Sequence, residues 1–155
     1  MNSSNEALED RIKKLEKDVA ALTKQCELLE WRVQLMTVSK IPHPRFPYWQ
    51  RQLEIIDSMQ KRQDLNVVLH GLSERLEGKV DPNEKHLEVE GVPNDLLYST
   101  EPLTAEDVFK AIKLVTGFVP NVLVVELMQA VEGQGMYRTL CDFFLSWYKE
   151  SLETK

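Results

Sequence analysis

Residues 8–36 read LEDRIKKLEKDVAALTKQCELLEWRVQLM. Apolar side chains recur there at Leu8, Ile12, Leu15, Val19, Leu22, Cys26, Leu29, Val33 and Met36, in steps that alternate between four and three. A sustained 3.5-residue period keeps one seam in line along a helix and drives a left-handed supercoil. Written as heptads, the a positions are Ile12, Val19, Cys26 and Val33, and the d positions are Leu8, Leu15, Leu22, Leu29 and Met36. A β-branched side chain at a with Leu at d favours two parallel strands. A homodimer is therefore the first expectation, with these nine residues as its interface.

The flanks of the seam agree with that reading. Arg11 falls at g and Glu16 at e, an attractive pair between parallel chains. Most other e and g positions hold Thr, Gln or a single charge, so selection of a partner by charge is weak and self-pairing is the simplest outcome. Cys26 would face its own copy across the axis. It fills space as a small apolar residue, or it forms an interchain disulfide if the Cβ atoms come within about 4 Å. Asn2, Ser3, Ser4 and Asn5 offer N-caps, and Glu6, Glu9 and Asp10 suit the positive end of the helix dipole. The helix is expected from about Asn5 to Val38.

A second stripe, Leu28, Trp31, Leu35 and Val38, lies at c and f, away from the seam. A solvated coil carries charges there, as its first half does at Lys13, Lys14 and Lys17. An apolar stripe needs cover, and other helices of the same chain are expected to supply it. The first half of the coil is then a bare stalk and the second half the spine of a helical head.

Ile41-Pro-His-Pro-Arg-Phe-Pro47 stops the first helix, because three prolines in six residues favour a stiff, extended corner. His43 has no second ligand near it in sequence. A helix is expected from Tyr48 to about Arg62, bearing Trp49, Leu53 and Ile56. Residues 65–77 read either as a strand, from Asn66-Val-Val-Leu69, or as a helix, from Leu65, Val68, Leu69, Leu72 and Leu76; the helical spacing is the better fit. A fresh start at Asp64 and a helix running through from Tyr48 are both open. Arg62-Gln-Asp-Leu-Asn-Val-Val-Leu-His-Gly-Leu-Ser-Glu74 resembles a stretch that follows the coiled coil in ORF1-type proteins of some non-LTR retrotransposons, where it opens an RNA-binding fold. The likeness spans a dozen residues. No basic strand follows and the remainder is acidic, so no residue role is carried over from it.

Residues 79–103 are irregular and acidic, punctuated by Pro82, Gly91, Pro93 and Pro102. His86-Leu-Glu-Val-Glu90 alternates as a short strand would, though an acidic loop fits equally; residues 92–98 hold one helical turn at most. Thr104-Ala-Glu-Asp107 is a capping-box variant that opens a helix to Thr116, with Gly117 as its stop. Residues 121–131 form a nearly all-apolar helix after Pro120, with a buried strand as the alternative. The last helix, Met136 to about Glu153, carries Tyr137, Leu140, Cys141, Phe144, Trp147, Tyr148 and Leu152. This heavy face is core in most domains, and Tyr137, Phe144, Trp147 and Tyr148 are the candidate partner-binding residues if it is exposed.

Charge narrows the partners. Residues 1–40 carry seven basic and seven acidic groups, 41–78 five of each, and 79–155 seven basic against thirteen acidic. The net charge of −6 thus resides in the C-terminal half, the opposite of the clustered Lys and Arg that phosphate backbones require. No apolar run approaches a membrane span, and the N-terminus lacks the basic and apolar regions of a signal peptide. Two cysteines, Cys26 and Cys141, suit a cytoplasmic or nuclear protein with free thiols. The sequence has no HExxH, GxSxG, P-loop or dinucleotide fingerprint, so no cofactor, metal or catalytic residue is assigned.

The expected fold is all-α: an N-terminal parallel dimeric coiled coil (1–40), then a small helical domain (41–155) packed on the coil's C-terminal half. The expected function is that of a non-enzymatic homodimeric adaptor or scaffold joining itself and another protein. The alternatives are a retroelement ORF1-like or viral oligomeric protein that binds nucleic acid or nucleoprotein, and a coiled-coil subunit of a larger hetero-oligomeric complex.

Overall fold

The computed structural model describes residues 2–39 and 47–154. The proline-rich corner with His43 and Phe46, and the side chain of Val38, lie outside the described residues. Every regular element among them is helical: α1 (Asn2–Ser39), α2 (Pro47–Ile55), α3 (Met59–Leu76), α4 (Asn94–Tyr98), α5 (Ala105–Thr116), α6 (Asn121–Gly133) and α7 (Arg138–Glu153).

The helix expected from Tyr48 to Arg62 is two helices. Neither Asp64 nor a run-through sets the boundary: Ser58 does. Its backbone is extended (φ −152°, ψ 155°) and its hydroxyl accepts from the Lys61 amide at 3.1 Å, which satisfies an otherwise orphaned donor. From there α3 is continuous, so residues 65–76 are helix and not strand. Leu65, Val68, Leu69 and Leu72 are all fully buried, as a 3.6-residue period requires and an alternating strand would forbid. Gly71 has a packing role: a Cβ there would lie 3.2 Å from Leu97 Cβ and 3.2 Å from Tyr98 Cε1. Its lack of a side chain lets α4 lie close on α3.

At α5 both capping-box bonds form: Asp107 N donates to Thr104 Oγ1, and Thr104 N donates to Asp107 Oδ2, each at 3.2 Å. Gly117 ends the helix in the left-handed region (φ 80°), where a Cβ is penalised. Residues 121–131 lie in α6 and are not a strand; Val124, Leu127, Met128 and Val131 are buried, whereas Val122 faces out. α7 starts at Arg138, just after the left-handed Tyr137. His86–Glu90 forms no strand.

α6 packs between α2 and α7, and α3 contacts α4, α5 and α7. Leu65, Leu69, Ile112, Met128, Leu140 and Phe144 share one core. α1 meets this head through α2 and α3, using Trp31 and Leu35 of the second stripe, 7% and 8% exposed, with Leu28 half-buried beside them. Several buried or half-buried polar groups of the head are matched. Gln134 Oε1 accepts from the amides of Tyr48 (3.1 Å) and Trp49 (3.4 Å) and so caps α2 from the end of α6. The Tyr48 hydroxyl donates to Asn66 Oδ1 at 3.1 Å, and burial pushes its pKa up to about 12.

Arg75 organises the irregular segment. Its guanidinium, almost wholly buried, donates to the carbonyls of Leu96 (2.7 Å), Glu101 (3.0 Å) and Pro102 (3.2 Å) and pairs with Asp107 Oδ2 at 3.1 Å. One side chain thereby ties α3 to α4, to the loop beyond it and to the start of α5.

Candidate self-association surface

α1 has two apolar faces with opposite fates. On the face away from the seam, Trp31 and Leu35 are buried by the head. Along the seam, Leu8, Ile12, Leu15, Val19, Leu22, Leu29, Val33 and Met36 are 50–61% exposed, and Cys26 is exposed with them. The line is unbroken from the free N-terminal half into the turns that carry the head. Exposed apolar residues scattered singly are ordinary; nine in one row make an extended apolar stripe.

The flanking residues differ in what they can offer. Arg11 and Glu16 are exposed. Arg32, also at a g position, is turned toward the head, where its Nη2 donates to the Ile56 carbonyl at 2.9 Å. It binds the carbonyl of the residue just after α2 and draws that end onto α1. Nothing local in the sequence signals its tie to a residue 24 positions on. Arg75 was equally invisible, its partners lying 21 to 32 positions away.

The aromatic candidates separate. Phe144 is core, edge-on to Phe109 at 4.9 Å between ring centroids, and offers nothing to a partner. Trp147 is 39% exposed and also meets Phe109 edge-on, at 6.0 Å; Tyr137 and Tyr148 are half-buried. Exposed apolar residues that the pattern did not single out are Phe118 (72% exposed, φ 63°) and Leu87. Burial pushes the Cys141 thiol up to about 12, so it is inert, whereas Cys26 is open.

The surface grooves are shallow. One, of about 370 Å³, runs beside α3 and is lined by Val67, His70, Glu74, His86, Leu87 and Tyr98. His86 stacks on Tyr98 at 4.3 Å, and His70 Nε2 lies 3.4 Å from Glu74 Oε1. No group of three or more His, Cys, Asp or Glu able to hold a metal occurs among the described residues. No single helix among them is long and apolar enough to cross a membrane. The stretch Arg62–Glu74, with its likeness to retroelement proteins, lies wholly inside α3. No protein-family model, curated protein or solved structure matches the chain.

Proposed function

We propose that the chain is a non-enzymatic adaptor or scaffold subunit that pairs with a second copy of itself, side by side and in the same direction, along the α1 seam. The observation that carries this reading is the seam itself: nine apolar residues in 3.5-residue register, exposed on a helix whose other apolar face is already covered. Complete burial of one Leu or Val is worth about 1.5–3 kcal/mol, so even partial cover of the row outweighs the cost of association.

Charge supports the parallel direction. Parallel pairing sets Arg11 of each copy against Glu16 of the other and creates no like-charge pair. Laid antiparallel with Leu8 against Val33, the same helices would set Arg11 against Arg32 and Glu9 against Glu30. Such repulsion selects against that arrangement. Because the head sits on the face opposite the seam, two heads would flank one end of the rod without obstructing it. Presented as a pair, they bind a repetitive protein partner with an effective concentration a single head lacks. Trp147 is the exposed aromatic residue of α7 for that contact, with Tyr148 half-buried next to it in the chain, and a reducing compartment, cytoplasm or nucleus, suits the two free thiols.

Sedimentation equilibrium tests the reading. The parent is expected at twice its 18.0 kDa chain mass at micromolar concentration, and Leu22→Asp at the chain mass. A monomeric parent would remove self-pairing and favour a coil that joins a different chain.

A further inference from the structure

The turns of α1 from Leu28 to Met36 serve two contacts at once. Their outer face, Trp31 and Leu35, seats the head; their inner face, Leu29, Val33 and Met36, is the last third of the seam. We propose that head docking and pairing of two copies are thermodynamically coupled through these shared turns, so that a head seated on α1 strengthens the dimer and a head drawn off it weakens the dimer. This rests on the self-association reading and adds a mode of regulation to it.

The reasoning is one of shared ordering. Either contact requires the same nine residues to be helical, and fixing that much backbone is costly. These turns form the C-terminal end of α1, and in a protein most helical stability comes from tertiary packing of an apolar face rather than from propensity. Whichever contact forms first bears that ordering, and the second then forms on a rigid surface; two ligands of one flexible element cooperate in this way. The docked head holds the turns firmly. Arg32 donates to the Ile56 carbonyl at 2.9 Å, and the Arg62 guanidinium lies 5.3 Å from the centre of the Trp31 ring.

The docking contact is also incomplete, which leaves it movable. Trp31 Nε1, Arg32 Nε and Arg62 Nε are buried with no hydrogen-bond partner among the described residues. Buried donors left unmatched weaken the interface that holds them. A ligand that gripped α2 and α3 at this contact while satisfying Arg62 Nε, the one of these donors on α3, would pull the head from α1 and loosen the pair.

Trp31→Ala, in the full chain, tests the coupling. The substitution removes a head contact, lies off the seam and raises helix propensity, so a weaker dimer cannot be ascribed to a weaker helix. The dissociation constant, measured by sedimentation across a dilution series, is expected to rise at least about fivefold, the lower end of ordinary coupling between sites. By reciprocity, amides of residues 28–36 in monomeric Leu22→Asp are expected to exchange faster by a similar factor. Should Trp31→Ala fail to fold, Leu35→Ala makes the same test with a smaller deletion. A dimeric parent whose dissociation constant is unmoved by either variant overturns the coupling and leaves self-association standing. A monomeric parent overturns both.

Discussion

Replacing Arg75 by Met should loosen the middle of the head more than any surface change. Met keeps the apolar stem and removes the guanidinium. Three carbonyls, at Leu96, Glu101 and Pro102, and the Asp107 carboxylate then lose their shared donor. Summing four separate bonds would double-count, because the freed carbonyls at the edge regain water. Breaking a buried pair by deleting one member costs about 3–5 kcal/mol, and that range is the expectation here. For a chain of this length each kcal/mol moves the melting temperature by about 2–4 °C, so a fall of roughly 10 °C is expected by circular dichroism at 222 nm. The loss should also be local: amides from Leu96 to Asp107 should exchange faster, while those of α6 keep their order of protection. Asp107→Asn should cost less, because Arg75 retains its three carbonyls. A melting temperature within about 2 °C of the parent, with unchanged exchange over residues 96–107, would refute the role given to Arg75.

Gly71→Ala should destabilise by about 1 kcal/mol, since overpacking against Leu97 and Tyr98 exceeds the helix-propensity gain; a raised melting temperature would contradict it. Tyr48 carries a pKa of about 12 in the fold against 10.0 for the free side chain. Its raised value means that its contribution is fully present below pH 10 and is lost as pH climbs from there through about 12; absorbance at 295 nm should show this tyrosine ionising only as the helices melt. With the Cys141 thiol buried and its pKa raised, the native chain should yield at most one reactive thiol at pH 8, and the unfolded chain two. Leu22→Asp should hasten the reaction of Cys26, because a seam opened by a charge no longer shields it; equal rates in parent and variant would count against pairing at that layer.

Some of this architecture is legible in the residues and some is not. α1 is plain because its 38 residues contain no Gly or Pro and its two apolar stripes have different phases. The cap at Thr104 and the stop at Gly117 are local chemistry and were readable as such. The break before α3 was hidden, because Trp49, Leu53 and Ile56 continue smoothly toward Met59. A serine between Asp57 and Met59 does not declare itself a cap until the backbone is seen. The run Val122–Val125 carries β-propensity that burial of Val124 and Val125 in a helical core overrides. The α7 face was ambiguous for a different reason: Tyr, Trp and Phe suit a core and an interface equally, and only the position of Phe109 decides that Phe144 belongs inside. Arg75 and Arg32 act across 21 to 32 positions, a distance at which a pattern in sequence has no voice.

Oxidative cross-linking through Cys26 tests the pairing of α1 most directly. In a parallel in-register pair the two Cys26 side chains meet at one layer of the seam, close enough for the roughly 4 Å Cβ separation a disulfide needs. In an antiparallel pair with Leu8 against Val33 they stand about eleven residues apart along the axis, or about 16 Å at 1.5 Å per residue. Mild oxidation of the native protein should therefore give a covalent dimer in high yield, absent in Cys26→Ser and in Leu22→Asp. A protein that sediments as a dimer yet yields no Cys26 cross-link would contradict the parallel seam.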